Sequence, residues 1–85
     1  MSRFRLAVRI VPRKGLLDPQ GKAVSDALHT LGFESVESVH VGRYIVIEAT
    51  ANDALSAGES AKEMCRKLLA NPVTEDFEVE SAVPA

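Results

Sequence analysis

An 85-residue chain with 46% hydrophobic and 26% charged residues is long enough for one hydrophobic core, so apolar surface left over must be covered by a neighbour. Ten Lys and Arg against twelve Asp and Glu, a net charge of −2, exclude a general attraction to nucleic acid or to an anionic membrane, and no apolar run is long enough to cross a bilayer. A single cysteine excludes an internal disulfide and a cysteine-rich zinc site and fits a reducing cytoplasm, which is the compartment expected here because MSRFRLAVRI also lacks the continuous apolar segment of a signal peptide.

Residues 1–85 are read as one domain of six elements. Phe4, Leu6, Val8 and Ile10 alternate with Arg3, Arg5, Ala7 and Arg9, the two-residue period of a strand with one covered face. Pro12 and Gly15 break that pattern, and Asp18 followed by Pro19 is a helix N-cap with a preset first turn. Ala23, Val24, Ala27, Leu28 and Leu31 form the stripe of that helix, and Gly32 ends it. From Val36 to Ala49 the chain is rich in β-branched residues and is interrupted at Gly42 and Arg43, which predicts a hairpin of two antiparallel strands. Asn52 or Asp53 caps a second helix with a stripe through Ala57, Ala61, Met64, Cys65 and Leu68, and with Glu63 and Lys67 paired on its wet side. Asn71 and Pro72 close this helix, Thr74 to Glu80 alternate as a last strand, and the final ESAVPA is expected to fray.

This order, βαββαβ, predicts an α+β, ferredoxin-like fold: a four-stranded antiparallel sheet with two helices on one face. The last strand then lies beside the first, so Arg3, Arg5 and Arg9 face Asp76, Glu78 and Glu80. That pairing cancels the field a phosphate backbone would need, and Tyr44 is the one aromatic placed for base stacking, so no nucleic-acid partner is expected. With a turn at Gly42 and Arg43, Val39, Val41, Tyr44 and Val46 share one face of the hairpin, while Val36, His40, Ile45 and Ile47 share the other. Only one face can lie under the helices, so the other is a self-association patch, with Val39, Val41, Tyr44, Ile45, Val46 and Ile47 as its candidates.

No catalytic or metal-binding constellation emerges. Ser25, Asp26 and His29 share the polar side of helix one without a pocket or an oxyanion site. Cys65 sits on an apolar stripe and reads as core filling, and no CxxC, HExxH, Walker or GxGxxG pattern is present.

Three stretches carry a resemblance: LDPQGKAVSDALHTLGF at 17–33, VGRY at 41–44 and EMCRKLLANPVTEDFEVE at 63–80. Together they resemble the PurS family, the small subunit of phosphoribosylformylglycinamidine synthase, over nearly the whole chain. ANDALSAGES is less charged, and YIVIEA more aliphatic, than is usual there. The resemblance implies a subunit with no catalytic residue, cofactor or metal of its own, which forms a homodimer or tetramer. It joins a large synthetase subunit, which uses ATP with magnesium, and a glutaminase subunit, and helps ammonia pass between them in purine biosynthesis. Asp18, Gln20 and Lys22 at the start of helix one, with the preceding loop 13–17, are candidate partner contacts. So are Arg43 and Tyr44 at the hairpin tip and Asn71, Glu75 and Asp76 at the far corner. A regulatory ACT-like domain that senses a small metabolite near Gly15 shares the βαββαβ order and is the alternative, whereas an acylphosphatase-like enzyme would need a phosphate loop and a placed Asn that do not follow Arg13.

Overall fold

The computed structural model describes residues 1–16 and 18–85. Strand β1 spans Ser2–Pro12, helix α1 Pro19–Thr30, strand β2 Arg43–Ala51, helix α2 Ala54–Met64 and strand β3 Glu75–Pro84, with a π-helical turn over Cys65–Leu69 after α2. The three strands form an antiparallel sheet in the order β2-β1-β3. The first strand is therefore central and the predicted last strand lies beside it, as expected of this topology. A four-stranded ferredoxin-like sheet would carry one further strand outside β2, and among the described residues that position is empty.

The core is the inward face of β1. Phe4, Leu6, Val8 and Ile10 are buried, and Ala57, Ala61, Cys65 and Ala70 come down on them from α2 and the turn beyond it. Ile45, Ile47 and Ala49 from β2 and Phe77, Val79 and Ala82 from β3 flank that line. The β1 alternation thus does what its period implies. Burial of these side chains, at about 25 cal/mol per Å² of apolar area, is the main force holding the sheet to α2.

Several expectations are corrected. The hairpin is absent: residues 36–42 belong to no strand, and no turn forms at Gly42–Arg43. Gly42 does not adopt the positive φ of the expected turn. Its lack of a side chain serves a close approach instead, since a Cβ there would lie 2.3 Å from the Ile10 carbonyl oxygen. Residues 36–42 therefore lead into β2 without a hairpin turn, so Val39 and Val41 do not share a face with Tyr44 and Val46 across two strands.

Helix α1 does not cover the sheet. It runs back along residues 36–41, joined at one end by the Val41 N–H donating to Asp18 Oδ2 (3.0 Å) and at the other by a 2.7 Å contact between His29 Nε2 and the Val36 carbonyl. Gly21 is the contact point midway, where a Cβ would sit 2.0 Å from the Val39 carbonyl oxygen. Together α1 and 36–42 make an arm that extends the molecule to 51 × 25 × 14 Å. The stripe of α1 is correspondingly open, with Val24 and Leu31 exposed.

Two smaller corrections concern the second half. The π-helical turn widens the helix after Cys65, which carries the buried line 57, 61, 65 on to Leu69 and swings Leu68 out to 82% exposure. The same widening accompanies an ion pair of Glu63 with Arg66 (2.6 Å), three residues along, and not with Lys67. The C-terminal residues do not fray: a register shift opposite Ala7 and Val8 restores the pairing, so that Leu6 faces Ala82 and Phe4 faces Pro84.

Candidate partner interface

With neither pocket nor metal cluster suggested by the sequence, the site to be sought is a docking surface, and its candidate residues fall in three places. At the root of the arm, Asp18 caps α1 by accepting from the Gly21 N–H (2.9 Å), and its other oxygen accepts from the Val41 N–H. These two backbone donors, the Gly21 bond foremost, hold the Asp18 carboxyl below the usual carboxylate range, helped by His40 nearby. Lys22 pairs with Asp26 one turn on (3.4 Å), along the open side of α1. Gln20 is exposed beside the cap. Leu17 lies outside the described residues.

At the far corner, Arg43 points inward from the start of β2, opposite Ile10. Its guanidinium donates through Nη1 and Nη2 to the two oxygens of Glu75 (2.9 and 2.8 Å), and Nη2 also donates to the Leu69 carbonyl (2.8 Å). Glu75 Oε1 accepts in addition from the Asn71 N–H (2.8 Å). The Glu75 carboxyl is held low chiefly by Arg43 and then by Asn71. Asn71 Oδ1 accepts from the Val73 N–H, which shapes the turn before β3. Asp76 pairs with Arg13 (3.2 Å), and Arg13 also donates to the Pro72 carbonyl (2.8 Å). Arg43, Glu75, Asn71 and Arg13 thus tie the two edge strands and the end of the helical segment together.

The structure brings the two corners to one cleft of about 220 Å³, lined by Asp18, Gln20, Val41, Arg43 and Glu75 with Pro12, Leu16 and Thr74. Tyr44 lies away from it, on the outer face of the sheet with Val46 and 61% exposed. That outer face holds the charge ladder, although in altered register. Arg9 reaches Glu78 and Glu80, while Arg3 and Arg5 turn to Glu48 of β2 (3.0 and 3.7 Å). The reason is the length of β3: its far end places Val83 beside Arg5, so the two first arginines have no acid on that side. Ile45 and Ile47 lie on the inner face, half-buried against the core.

Leu68 and Leu69, with Met64, Lys67, Glu63, Ser60 and Ile47, line an apolar trough along the free edge of β2. Helical spacing alone assigns Leu68 to the core, and only the π-helical turn reveals it as surface. Cys65 does fill the core, and burial pushes its thiol up, away from the reactive thiolate.

Because Asp18, Glu75 and the α2 cap Asp53 all titrate below their unfolded values, the sign of the pH dependence is settled. Their stabilising bonds are fully present above the unfolded carboxylate values near pH ~4 and are lost as pH falls through the lower folded ones. Urea melts between pH 6 and pH 2.5 are expected to show stability declining on the acid side, with Glu75→Gln flattening part of that slope.

Comparison with known proteins places this geometry. The family model described as PurS, phosphoribosylformylglycinamidine (FGAM) synthase, matches residues 5–82. The chain is 39% identical over 82 residues to the phosphoribosylformylglycinamidine synthase subunit PurS of Bacillus subtilis, covering 94% of this chain and 96% of that one. To the corresponding subunit of Methanocaldococcus jannaschii it is 38% identical over 77 residues, covering 91% and 93%. Thermus thermophilus PurS superposes with a TM-score of 0.85 at 42% identity over 98% of each chain. A chain from the structure of PurLQS of Thermotoga maritima gives 0.85 at 31%, covering 95% of this chain and 99% of that one. The metabolite-sensing alternative finds no support among these relatives. With nearly full-length agreement in sequence and in backbone, the chain belongs to the PurS family.

Proposed function

We infer that this chain is the small subunit of phosphoribosylformylglycinamidine synthase, the glutamine-dependent, ATP-using ligase complex of purine biosynthesis, and that it contributes structure and not chemistry. The observation that carries this is the 39% identity over 94% of the chain to a curated subunit of that enzyme. The T. maritima PurLQS likeness supports a place in a larger assembly. Its partners are a synthetase subunit, a glutaminase subunit and a second copy of itself, and it acts in the cytoplasm as one folded unit. ATP and magnesium belong to the synthetase.

Ammonia freed at one active site must reach another before it is protonated or lost, and a rigid spacer supplies that geometry by fixing the two catalytic subunits relative to each other. The cleft between the arm root and the Arg43–Glu75 corner, lined in part by Gln20, is our candidate for one such contact, and Lys22 on the adjoining side of α1 extends it. The outer face with Tyr44 is the candidate for another. Asn71, Asp76 and Arg13 act behind the first by setting the shape of the corner.

Reconstitution tests the reading. Purified synthetase and glutaminase are expected to form product from glutamine only when this protein is added, whereas ammonium chloride as nitrogen donor should need it far less. Equal glutamine-driven rates with and without it would refute the bridging role.

A further inference from the structure

A second cleft, of about 380 Å³, lies between the π-helical turn and the start of β3. It shares only Glu75 with the cleft at the arm root, and no residue with the trough along β2. Its deepest residues are apolar: Cys65 and Ala70 are buried, and Phe77 is half-buried on the inner face of β3. The π-helical turn brings Cys65 and Ala70 to this floor, its wide ring closed by the Ala70 N–H donating to the Cys65 carbonyl (3.0 Å). Such turns recur where a helix serves a function.

The polar side chains of the cleft are unevenly occupied. Glu75 accepts from Arg43 on both oxygens and from the Asn71 N–H on one of them. Asp76 Oδ1 accepts from Arg13 Nε (3.2 Å), and Arg13 Nη2 donates to the Pro72 carbonyl (2.8 Å), which fixes that guanidinium with Nη1 unused. Arg66 is tied only to Glu63, through Nη1, in a pair half exposed on both sides, a kind that contributes little. Its Nε and Nη2 are unused. The acids are thus largely satisfied within the chain, and the groups left to meet a ligand are guanidinium donors above an apolar floor.

Resting on the subunit role inferred above, we propose that this cleft receives a segment of one of the two larger subunits, in which an apolar side chain enters over Ala70 and Phe77 and a neighbouring Asp or Glu carboxylate is met by Arg66, with Arg13 beside it. The planar fork of a guanidinium suits a carboxylate. A free small molecule is the poorer occupant, since sites for those enclose most of the ligand and here both arginines are about half exposed. A docked subunit covers that rim and desolvates the ion pair, the build of an interface anchor: an apolar pocket sealed by the contacts around it.

The test uses the full chain with purified synthetase and glutaminase. Arg66→Glu should keep the circular dichroism and melting temperature near wild type, because the side chain is exposed, yet weaken binding to one of the two subunits at least ~10-fold, the loss of a charge-assisted bond. Arg66→Lys should fall between, and the difference from wild type should shrink as salt is raised. If Arg66→Glu does not fold, Arg66→Gln should read the same way. A photoreactive side chain in place of Arg66 then locates the partner carboxylate by mass spectrometry, and exchanging that residue for lysine should restore binding to Arg66→Glu. Arg66→Glu binding both subunits as tightly as wild type, while glutamine-driven activity still needs the chain, overturns the cleft and leaves the subunit role standing. Saturable shifts of the Ala70 methyl signal on adding sodium hexanoate to the isolated chain, with assembly indifferent to Arg66→Glu, would make this a small-molecule site and likewise overturn the proposal. A wild-type chain that binds neither subunit overturns both.

Discussion

Replacing Arg43 with glutamate should lower the melting temperature of the chain by roughly 10–20 °C. The wild-type guanidinium makes two bonds to the mostly buried Glu75 and a third to the Leu69 carbonyl. Glutamate would remove all three donors and set a second carboxylate against the first. Charge-assisted bonds of this kind contribute about 1.5–3 kcal/mol. Because Arg43 is itself half exposed, screening trims the repulsive part. A net loss of about 2–3 kcal/mol remains, and a domain of this size shifts by about 4–8 °C for each kcal/mol. Arg43→Lys should fall between, since an ammonium can meet one acceptor but lacks the planar fork. Thermal melts of the three proteins measure this directly. An unchanged melting temperature together with weakened subunit assembly would make Arg43 a partner contact alone, the role expected for it in the sequence, and not a brace.

The Arg43 brace, set beside the other elements, shows where sequence patterning is informative. Phe4 to Ile10 reads as a core strand because strict alternation matches a half-buried strand and no helical spacing. The caps at Asp18 and Asp53 are local, each bonding a backbone N–H three residues ahead, so chemistry within one turn suffices to place them. Gly42 is different. A glycine between two β-branched runs fits a hairpin turn or a close backbone approach equally well, and the difference lies in Ile10, more than thirty residues away. The same is true of the helical stripes. Val24 and Leu31 announce that α1 buries a face, and nothing local says against which molecule. Leu68 escapes the stripe because a π-helical turn leaves no mark in a pattern counted at 3.6 residues per turn. The candidate contacts divide in the same way: Asp18, Gln20, Arg43 and Glu75 do meet at one cleft, while the bonding that makes Arg43 and Glu75 a brace depends on the sheet order.

Gly21→Ala should part α1 from the return segment 36–41 and so open the arm. In an isolated helix the change would stabilise by about 1 kcal/mol, because alanine has the higher propensity. Here the added methyl meets the Val39 carbonyl oxygen at 2.0 Å and the Asp18 carboxylate at 2.6 Å. Backbone cannot swing aside as a flexible side chain can, so the overlap, about 1–3 kcal/mol or more for an overpacked contact, outweighs the propensity gain and forces α1 away from the return segment. The sheet and α2 make their core without α1, so amide exchange in β1 and β3 should stay close to wild type. Protection of the Val41 N–H, which depends on Asp18 staying in place, should collapse. Any assembly that needs the closed arm should weaken by roughly 10-fold or more, at 1.4 kcal/mol for each factor of ten. Uniform loss of protection across arm and sheet would instead mean that the arm is part of the cooperative core, and that its contacts with residues 36–41 stabilise the whole chain.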